Sequence, residues 1–225
     1  MFKILYDNLL PNFMKAKFNW MTILQMQKEE KEFNTRVPFV QLSNEHLKNC
    51  RVVANRESLL NLLPKEAIVA EIGVDEGVFS KQIMEICTPS KLHLIDAWDS
   101  EKYGEPKLNL IKKELNTLIN NNSVIIHKGY SYSELEKFED AYFDWIYIDT
   151  DHTYNTTCKE LEVCSRKIKQ NGLILGHDYV TRCYSNFTRY GVIEAVNEFC
   201  VKNNWELLFL TNETDRHLSY ALRKI

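Results

Sequence analysis

With 225 residues, 44% of them hydrophobic and 12% aromatic, and only 7 Gly and 5 Pro, the chain can fill one sizeable core and is too apolar to be disordered. Its 28 basic and 31 acidic residues leave a net charge of −3 without a long run of either sign. This excludes the electrostatic footprint of a nucleic-acid or anionic-membrane binder and points to a small-molecule partner. Cys50, Cys87, Cys158, Cys164, Cys183 and Cys200 form no CxxC pair, which reads as reduced thiols in a cytoplasmic protein rather than a zinc finger. In MFKILYDNLLPNF, Asp7 and Pro11 interrupt what would be the apolar core of a signal peptide, and no stretch reaches the length of a membrane span.

Residues 1–50 stand apart. FMKAKFNWMTILQMQKEEKEF carries apolar residues at helical spacing and then a charged run, and RVPFVQL breaks the pattern at Pro38. One or two helices are expected there, serving as a packing appendage or dimer arm, or else as a lid over a substrate site; association with a second copy is left open.

From residue 51 to 225 the chain alternates. NRESLLNLLP reads as a helix, AIVAEIGV as a strand, GVFSKQIMEIC as a helix, KLHLIDAW as a strand and EPKLNLIKKELNTLIN as a helix. SVIIHKG (strand), SYSELEKF (short helix), FDWIYIDT (strand), TTCKELEVCSRKIKQN (helix) and GLILGHD (strand) follow. The tail adds the helix GVIEAVNEFCVKNN and the strands WELLFLT and HLSYALRK, joined through NETDR as an antiparallel edge hairpin. Near-continuous apolar strands between helices predict an α/β fold: a Rossmann-like, doubly wound parallel sheet covered on both faces.

Sites in that fold class lie at the carboxyl ends of the strands. At the first strand-to-helix turn stands Glu71-Ile-Gly73-Val74-Asp75-Glu76-Gly77, whose glycines permit a tight turn and close approach of a ligand. Asp96 follows Gly77 by 19 residues, at the end of the next strand, where a carboxylate can accept from two ribose hydroxyls. An adenosine-bearing cofactor is therefore expected. A dinucleotide fingerprint would need G-x-G-x-x-G, and Asp75 and Glu76 occupy the place of a pyrophosphate and would repel it. S-adenosylmethionine has no phosphate, and its cationic groups favour nearby carboxylates.

Asp149 and Asp178 end two successive strands 29 residues apart, so a strand-helix-strand crossover sets two carboxylates side by side. Such a pair invites a hard divalent cation, Mg²⁺ or a similar ion. His152, three residues beyond Asp149, has the pKa of a general base. Asp151 reads as a third ligand, an orienter of His152 or an N-cap. His177, next to Asp178, is within reach of the metal but is assigned to supporting the ligands or to packing, because neighbours on a strand face opposite ways. His46, His93, His127 and His217 read as ordinary surface or core histidines. YVTRCYSNFTRYG, residues 179–191, is either an acceptor wall or a packing loop.

Over roughly residues 52–223, "NRESLLNLLP", "VAEIGVDEGVFS", "LHLIDAW", "HKGYS", "FDWIYIDTDHTY", "NGLILGHDY" and "GVIEAVNEF" resemble the class I S-adenosylmethionine-dependent methyltransferases. More narrowly, the DTDH pattern followed by GHDY is similar to the metal-dependent sugar O-methyltransferases of macrolide and aminocoumarin biosynthesis. The resemblance implies seven strands in the order 3-2-1-4-5-7-6, the last antiparallel. It implies that Glu71, Gly73 and Gly77 hold the methionine part, Asp96 the ribose, and Gly129, Tyr130 and Ser131 border the adenine, with Val74, Ala97 and Asp149 completing the cofactor contacts. It also implies Asp149 as metal ligand and His152 as base. Asp75 stands where many relatives have Gly. The expected reaction is methyl transfer to a hydroxyl of a sugar or other polyhydroxylated small molecule. A metal-dependent hydrolase or hydroxylase, or a non-catalytic nucleotide-binding module, is the alternative.

Overall fold

The computed structural model describes residues 11–101, 103–183, 185–214 and 217–225, without the side chain of Phe13. The first ten residues, Tyr184 and part of the NETDR link therefore lie outside the described residues. Eight strands form one sheet: β1 (Arg51–Val53), β2 (Ile68–Ile72), β3 (Lys91–Asp96), β4 (Val124–Lys128), β5 (Phe143–Ile148), β6 (Ile168–Gly176), β7 (Trp205–Thr211) and β8 (Tyr220–Lys224). Their order is β1-β7-β8-β6-β5-β2-β3-β4. Every pairing is parallel except those of β8, which runs antiparallel to both β6 and β7.

The expected order of seven strands is present, from β4 through to β7. The eighth, β1, is an addition to the sequence reading: three residues that pair with β7 along Arg51↔Phe209, Val52↔Leu210 and Val53↔Thr211. Because β1 covers β7, the β7–β8 hairpin is not the sheet edge.

Helices cover both faces. α1 (Asn12–Arg36) and α2 (Asn44–Leu47) precede the sheet, and α3 (Arg56–Leu60), α4 (Val78–Cys87), α5 (Glu105–Glu114), α6 (Asn116–Asn120), α7 (Ser131–Leu135), α8 (Tyr154–Lys167) and α9 (Val192–Asn203) lie between strands. Leu59, Leu60, Phe79, Ile83, Leu94 and Trp145 pack one face; Ile72, Ile146, Leu161, Val196 and Tyr220 pack the other. Alternating burial on two faces is what continuous apolar strands require.

Several boundaries differ from the sequence reading: the helix expected over 55–64 ends at Leu60, and the strand expected over 217–224 begins at Tyr220. Two changes are larger. The helix expected over residues 156–171 ends at Lys167, and Ile168 already pairs with Phe143. Lys169 and Gln170 suit a helix, but the pairing of Ile168 with β5 ends it before them. The helix expected over 105–120 breaks at Leu115 into α5 and α6. Among the described residues, no helix is long and apolar enough to cross a membrane, and all six cysteines are free.

The antiparallel β8 leaves β7, β6, β5, β2, β3 and β4 with their carboxyl ends on one edge. There the backbone adopts left-handed conformations at Gly73 (φ +83°), Asp75 (+53°), Gly77 (+73°), Trp98 (+41°), His152 (+61°) and Asp178 (+58°). Non-glycine residues held this way cost about 1–3 kcal/mol each and gather where function demands them.

Candidate functional site

The turn after β2 is fixed by its neighbours. Gly73 donates its N–H to the carbonyl of Ile95 at 2.9 Å, and Asp149 at the end of β5 donates to Ile72 at 2.8 Å. A Cβ on Gly73 would stand 1.9 Å from the Asp149 carbonyl oxygen, so the turn and the end of β5 are in backbone contact. The Asp96 Oδ2 accepts from the N–H of Val74 at 2.7 Å and of Asp75 at 3.1 Å, and Oδ1 accepts from Trp98 at 3.0 Å. Ala97 lies between them, half-buried. A carboxylate has about four acceptor positions, so Asp96 keeps capacity for a ligand hydroxyl.

Glu71 is fully buried and accepts a hydrogen bond from Ser80 of α4. Burial pushes its carboxyl up to about 8 against that bond, with Asp149 nearby adding to the rise. Its folded pKa exceeds the unfolded one. The unfolded chain therefore loses the proton first, and stability falls as pH rises from about 4.5 to about 8. Glu71→Gln is expected to remove that decline, seen as a smaller loss of Tm between pH 5 and 8 than in the wild type, and to weaken binding of a cationic amino group. Parallel Tm profiles of the two proteins would refute the assignment.

The carboxylates used to argue against a pyrophosphate are not bare. Lys107 of α5 pairs with Asp75, and with Glu76 at 3.2 Å. The repulsion expected from the sequence is thereby reduced, and Asp75 and Val78, where the fingerprint needs glycine, carry the distinction from a dinucleotide fold.

After β4, Gly129 donates its N–H to the Asp96 carbonyl at 2.9 Å, which ties this segment to the end of β3. Tyr130 is exposed and donates its hydroxyl to Asp99 at 2.8 Å. Ser131 is buried and bonds to Glu160, which Thr150 also meets at 2.9 Å. Burial raises the Glu160 carboxyl to about 7.

At β5 and β6 the structure brings together the three residues expected to act together. His152 Nε2 lies 3.1 Å from Asp149 Oδ1 and 2.8 Å from Asp178 Oδ2. One ligand atom from each falls within 4.8 Å of the others. Burial alone would lower the His152 pKa, but hydrogen bonds to Asp149 and Asp178 outweigh it and hold the imidazole at about 10. Asp178 sinks to about 2: burial opposes the shift, and the bond to His152 and its charge overcome it. The Tyr190 ring stacks on His152 at 4.6 Å, so the end of the 179–191 loop forms one wall.

Two residues of this cluster escaped the sequence reading. His217 Nδ1 meets Asp178 Oδ1, so it is not an ordinary surface histidine. Arg56, at the start of α3, lies 3.6 Å from Asp149 Oδ2. By contrast, His177 turns to Ser219 at 3.0 Å, and Asp151 accepts from Thr153 N–H at 2.9 Å and Thr156 at 2.8 Å, the geometry of a helix start. His93 and His127 face each other at 2.9 Å within an aromatic cluster away from this edge.

The rest of the 179–191 loop is tied to α1. Arg182 reaches Glu29 at 3.0 Å and Glu30 at 3.3 Å; Arg189 reaches Glu30 at 3.0 Å and buried Glu194 at 2.6 Å. A groove of about 750 Å³ opens between them, lined among others by Met21, Met26, Phe33 and Phe187.

The glycine turn, the Asp96 carboxylate and the acid–His cluster thus lie along one edge of the sheet. Residues 70–179 match the methyltransferase domain family. The match runs from β2 to just past Asp178, a little under half of the chain. The sheet is that of the class I methyltransferases, with β1 added. Solved structures of the same fold include the pyocyanin biosynthetic protein PhzM (TM-score 0.57, 13% identity, 75% of this chain and 54% of that one). They also include an S-adenosylmethionine-dependent methyltransferase from Aquifex aeolicus (TM-score 0.56, 13% identity, 81% and 94%). A presumptive caffeoyl-CoA O-methyltransferase from Staphylococcus aureus covers 92% of this chain and 99% of its own (TM-score 0.51, 20% identity). The chain thus spans about half the length of PhzM. At such identities the likeness concerns the fold. No curated protein sequence matches the chain.

Proposed function

We propose that this protein transfers the methyl group of S-adenosylmethionine to a hydroxyl of a small polyhydroxylated acceptor, a sugar or related metabolite, with a divalent cation such as Mg²⁺ at Asp149 and Asp178. The observation that carries this reading is the contact between the two halves of the site: the Gly73 turn touches the backbone of Asp149, whose side chain belongs to the Asp149–His152–Asp178 cluster. Cofactor turn and acid–base cluster are then neighbours, as alignment of a nucleophile with a methyl group requires.

The residues fit both groups. Gly73, Gly77, Val74 and Glu71 frame the methionine end, Asp96 and Ala97 the ribose, and Gly129, Tyr130 and Ser131 the adenine. Two carboxylates and an imidazole within 4.8 Å suit a hard divalent ion. Bound there, it would supply positive charge that eases deprotonation of an acceptor hydroxyl.

His152 supplies the argument for a cation. With its pKa held at about 10 by Asp149 and Asp178, the imidazole carries a proton at neutral pH and cannot accept another. Once the charge of those carboxylates is engaged elsewhere, His152 Nε2 is released to take the hydroxyl proton. The acceptor oxygen then forms its bond to the methyl carbon while the carbon–sulfur bond breaks, and the proton rests on His152. Residues 51–225 make up this catalytic unit. Of the N-terminal extension, α1 covers the acceptor side, where its ion pairs join it to the 179–191 loop.

A second reading uses the same distances. His152 Nε2 is as close to both carboxylates as a third metal ligand would be, the donor set of a metal-dependent hydrolase or hydroxylase. Calorimetric titration of metal-stripped protein with S-adenosylmethionine and S-adenosylhomocysteine, with and without Mg²⁺ and with NAD as control, separates the two. Micromolar binding of the adenosyl ligands and none of NAD supports methyl transfer. Absence of adenosyl binding in both conditions sinks it.

A further inference from the structure

The methionine end of S-adenosylmethionine carries an ammonium and a carboxylate. Around the Gly73 turn, Glu71, Asp96 and Asp149 are all acids and can receive the ammonium, but a carboxylate placed among them needs a cation. Arg56 brings a guanidinium beside Asp149, and four features hold it at this point. β1 pairs with β7 and delivers the chain to the carboxyl edge. The Asn55 side chain caps α3 by accepting from Ser58 N–H at 2.8 Å. Glu213 accepts from the Arg56 backbone N–H at 2.6 Å and is itself anchored by the Thr211 hydroxyl at 2.8 Å. The guanidinium lies over the Phe79 ring at 4.4 Å, on the first turn of α4 just beyond Gly77. Stacking fixes the plane of the fork while leaving its edge donors free to point elsewhere.

Arg56 is ion-paired with Asp149 and hydrogen-bonded to Tyr147, and with five donors on the guanidinium these two partners leave part of the fork unused. Its approach to Asp149 is 3.6 Å, beyond a hydrogen bond, and about a quarter of its side chain remains exposed. A planar fork with donors to spare, beside the turn assigned to the methionine end, has the geometry for bidentate capture of a carboxylate.

We infer that Arg56 is the residue that binds the carboxylate of the cofactor's amino-acid end, with acidic neighbours taking the ammonium. This rests on the cofactor reading proposed above. It makes the added strand β1 functional: the strand exists to present Arg56 at the crevice.

The test compares S-adenosylhomocysteine with its decarboxylated analogue, which keeps the ammonium and adenosine, in calorimetric titrations of the full chain with Mg²⁺ present. Wild-type protein is expected to prefer S-adenosylhomocysteine by on the order of 10- to 100-fold, the worth of charge-assisted hydrogen bonds. Arg56→Met should abolish that preference by weakening S-adenosylhomocysteine alone, and Arg56→Lys should restore part of it. An Arg56→Met protein that keeps the wild-type preference overturns the assignment. So does one that loses both ligands equally while Arg56→Lys keeps both, since the arginine would then only support the fold. If wild-type protein binds neither ligand, the cofactor reading itself falls, a result distinct from an unaltered preference.

Discussion

Gly73→Ala is expected to lower stability by about 2–4 kcal/mol and to abolish binding of adenosyl ligands. Gly73 sits at φ +83°, where an L side chain is strained by about 1 kcal/mol. Its Cβ would lie 1.9 Å from the Asp149 carbonyl oxygen and 2.5 Å from the carbonyl carbon. Neither side can yield cheaply, because both strands' ends are bonded to their neighbours, Gly73 to Ile95 and Asp149 to Ile72. Forcing them apart adds an overpacking cost of about 1–3 kcal/mol and widens the crevice that would receive the methionine end. Gly77→Ala is the internal control. Its Cβ would meet first the Ile111 side chain at 3.1 Å, which can move, so a smaller loss is expected from a residue with nearly the same φ. Urea unfolding of the three proteins measures the difference. Equal midpoints for Gly73→Ala and wild type would show that β2 and β5 are not in contact at the site.

What could be seen in the sequence followed from local pattern. AIVAEIGV, KLHLID and FDWIYI are apolar throughout because they are buried on both faces, so their strands and central position were legible. Gly73, Asp96, Asp149 and Asp178 could be placed because each stands at a strand end, where the fold class puts its ligands. What depended on distant partners was not legible. β1 is three residues whose strand character comes only from pairing with β7, more than 150 residues away. His217 enters the cluster through Asp178, 39 residues earlier, with no motif linking them. Arg56 drew no reading of its own within NRESLLNLLP, because its meaning comes from Asp149 and Phe79 in other parts of the chain. Lys107 was hidden likewise: nothing near Asp75 and Glu76 in sequence announces a lysine on α5.

His152→Ala is expected to lower turnover by about 10²–10⁴ while leaving the affinity for S-adenosylhomocysteine unchanged. The cofactor contacts proposed above lie mainly around β2, β3 and β4, whereas the His152 side chain, among the described residues, meets Asp149, Asp178 and the Tyr190 ring. The same histidine predicts how a chelator acts. With its pKa held at about 10, the imidazole is almost wholly protonated at pH 7.5, so stripped wild-type enzyme should lose most of its rate and regain it with Mg²⁺. Since its folded pKa is raised from 6.5, the paired imidazolium stabilises the metal-free protein fully below pH 6.5. That contribution disappears as pH rises through about 10. The Tm advantage of stripped wild type over His152→Ala should therefore shrink across this window. If the substitution instead removes Mg²⁺ affinity, His152 is a ligand and the second reading gains. If turnover survives both the chelator and the loss of His152, neither a cation nor a base drives the reaction, and binding geometry alone must carry it.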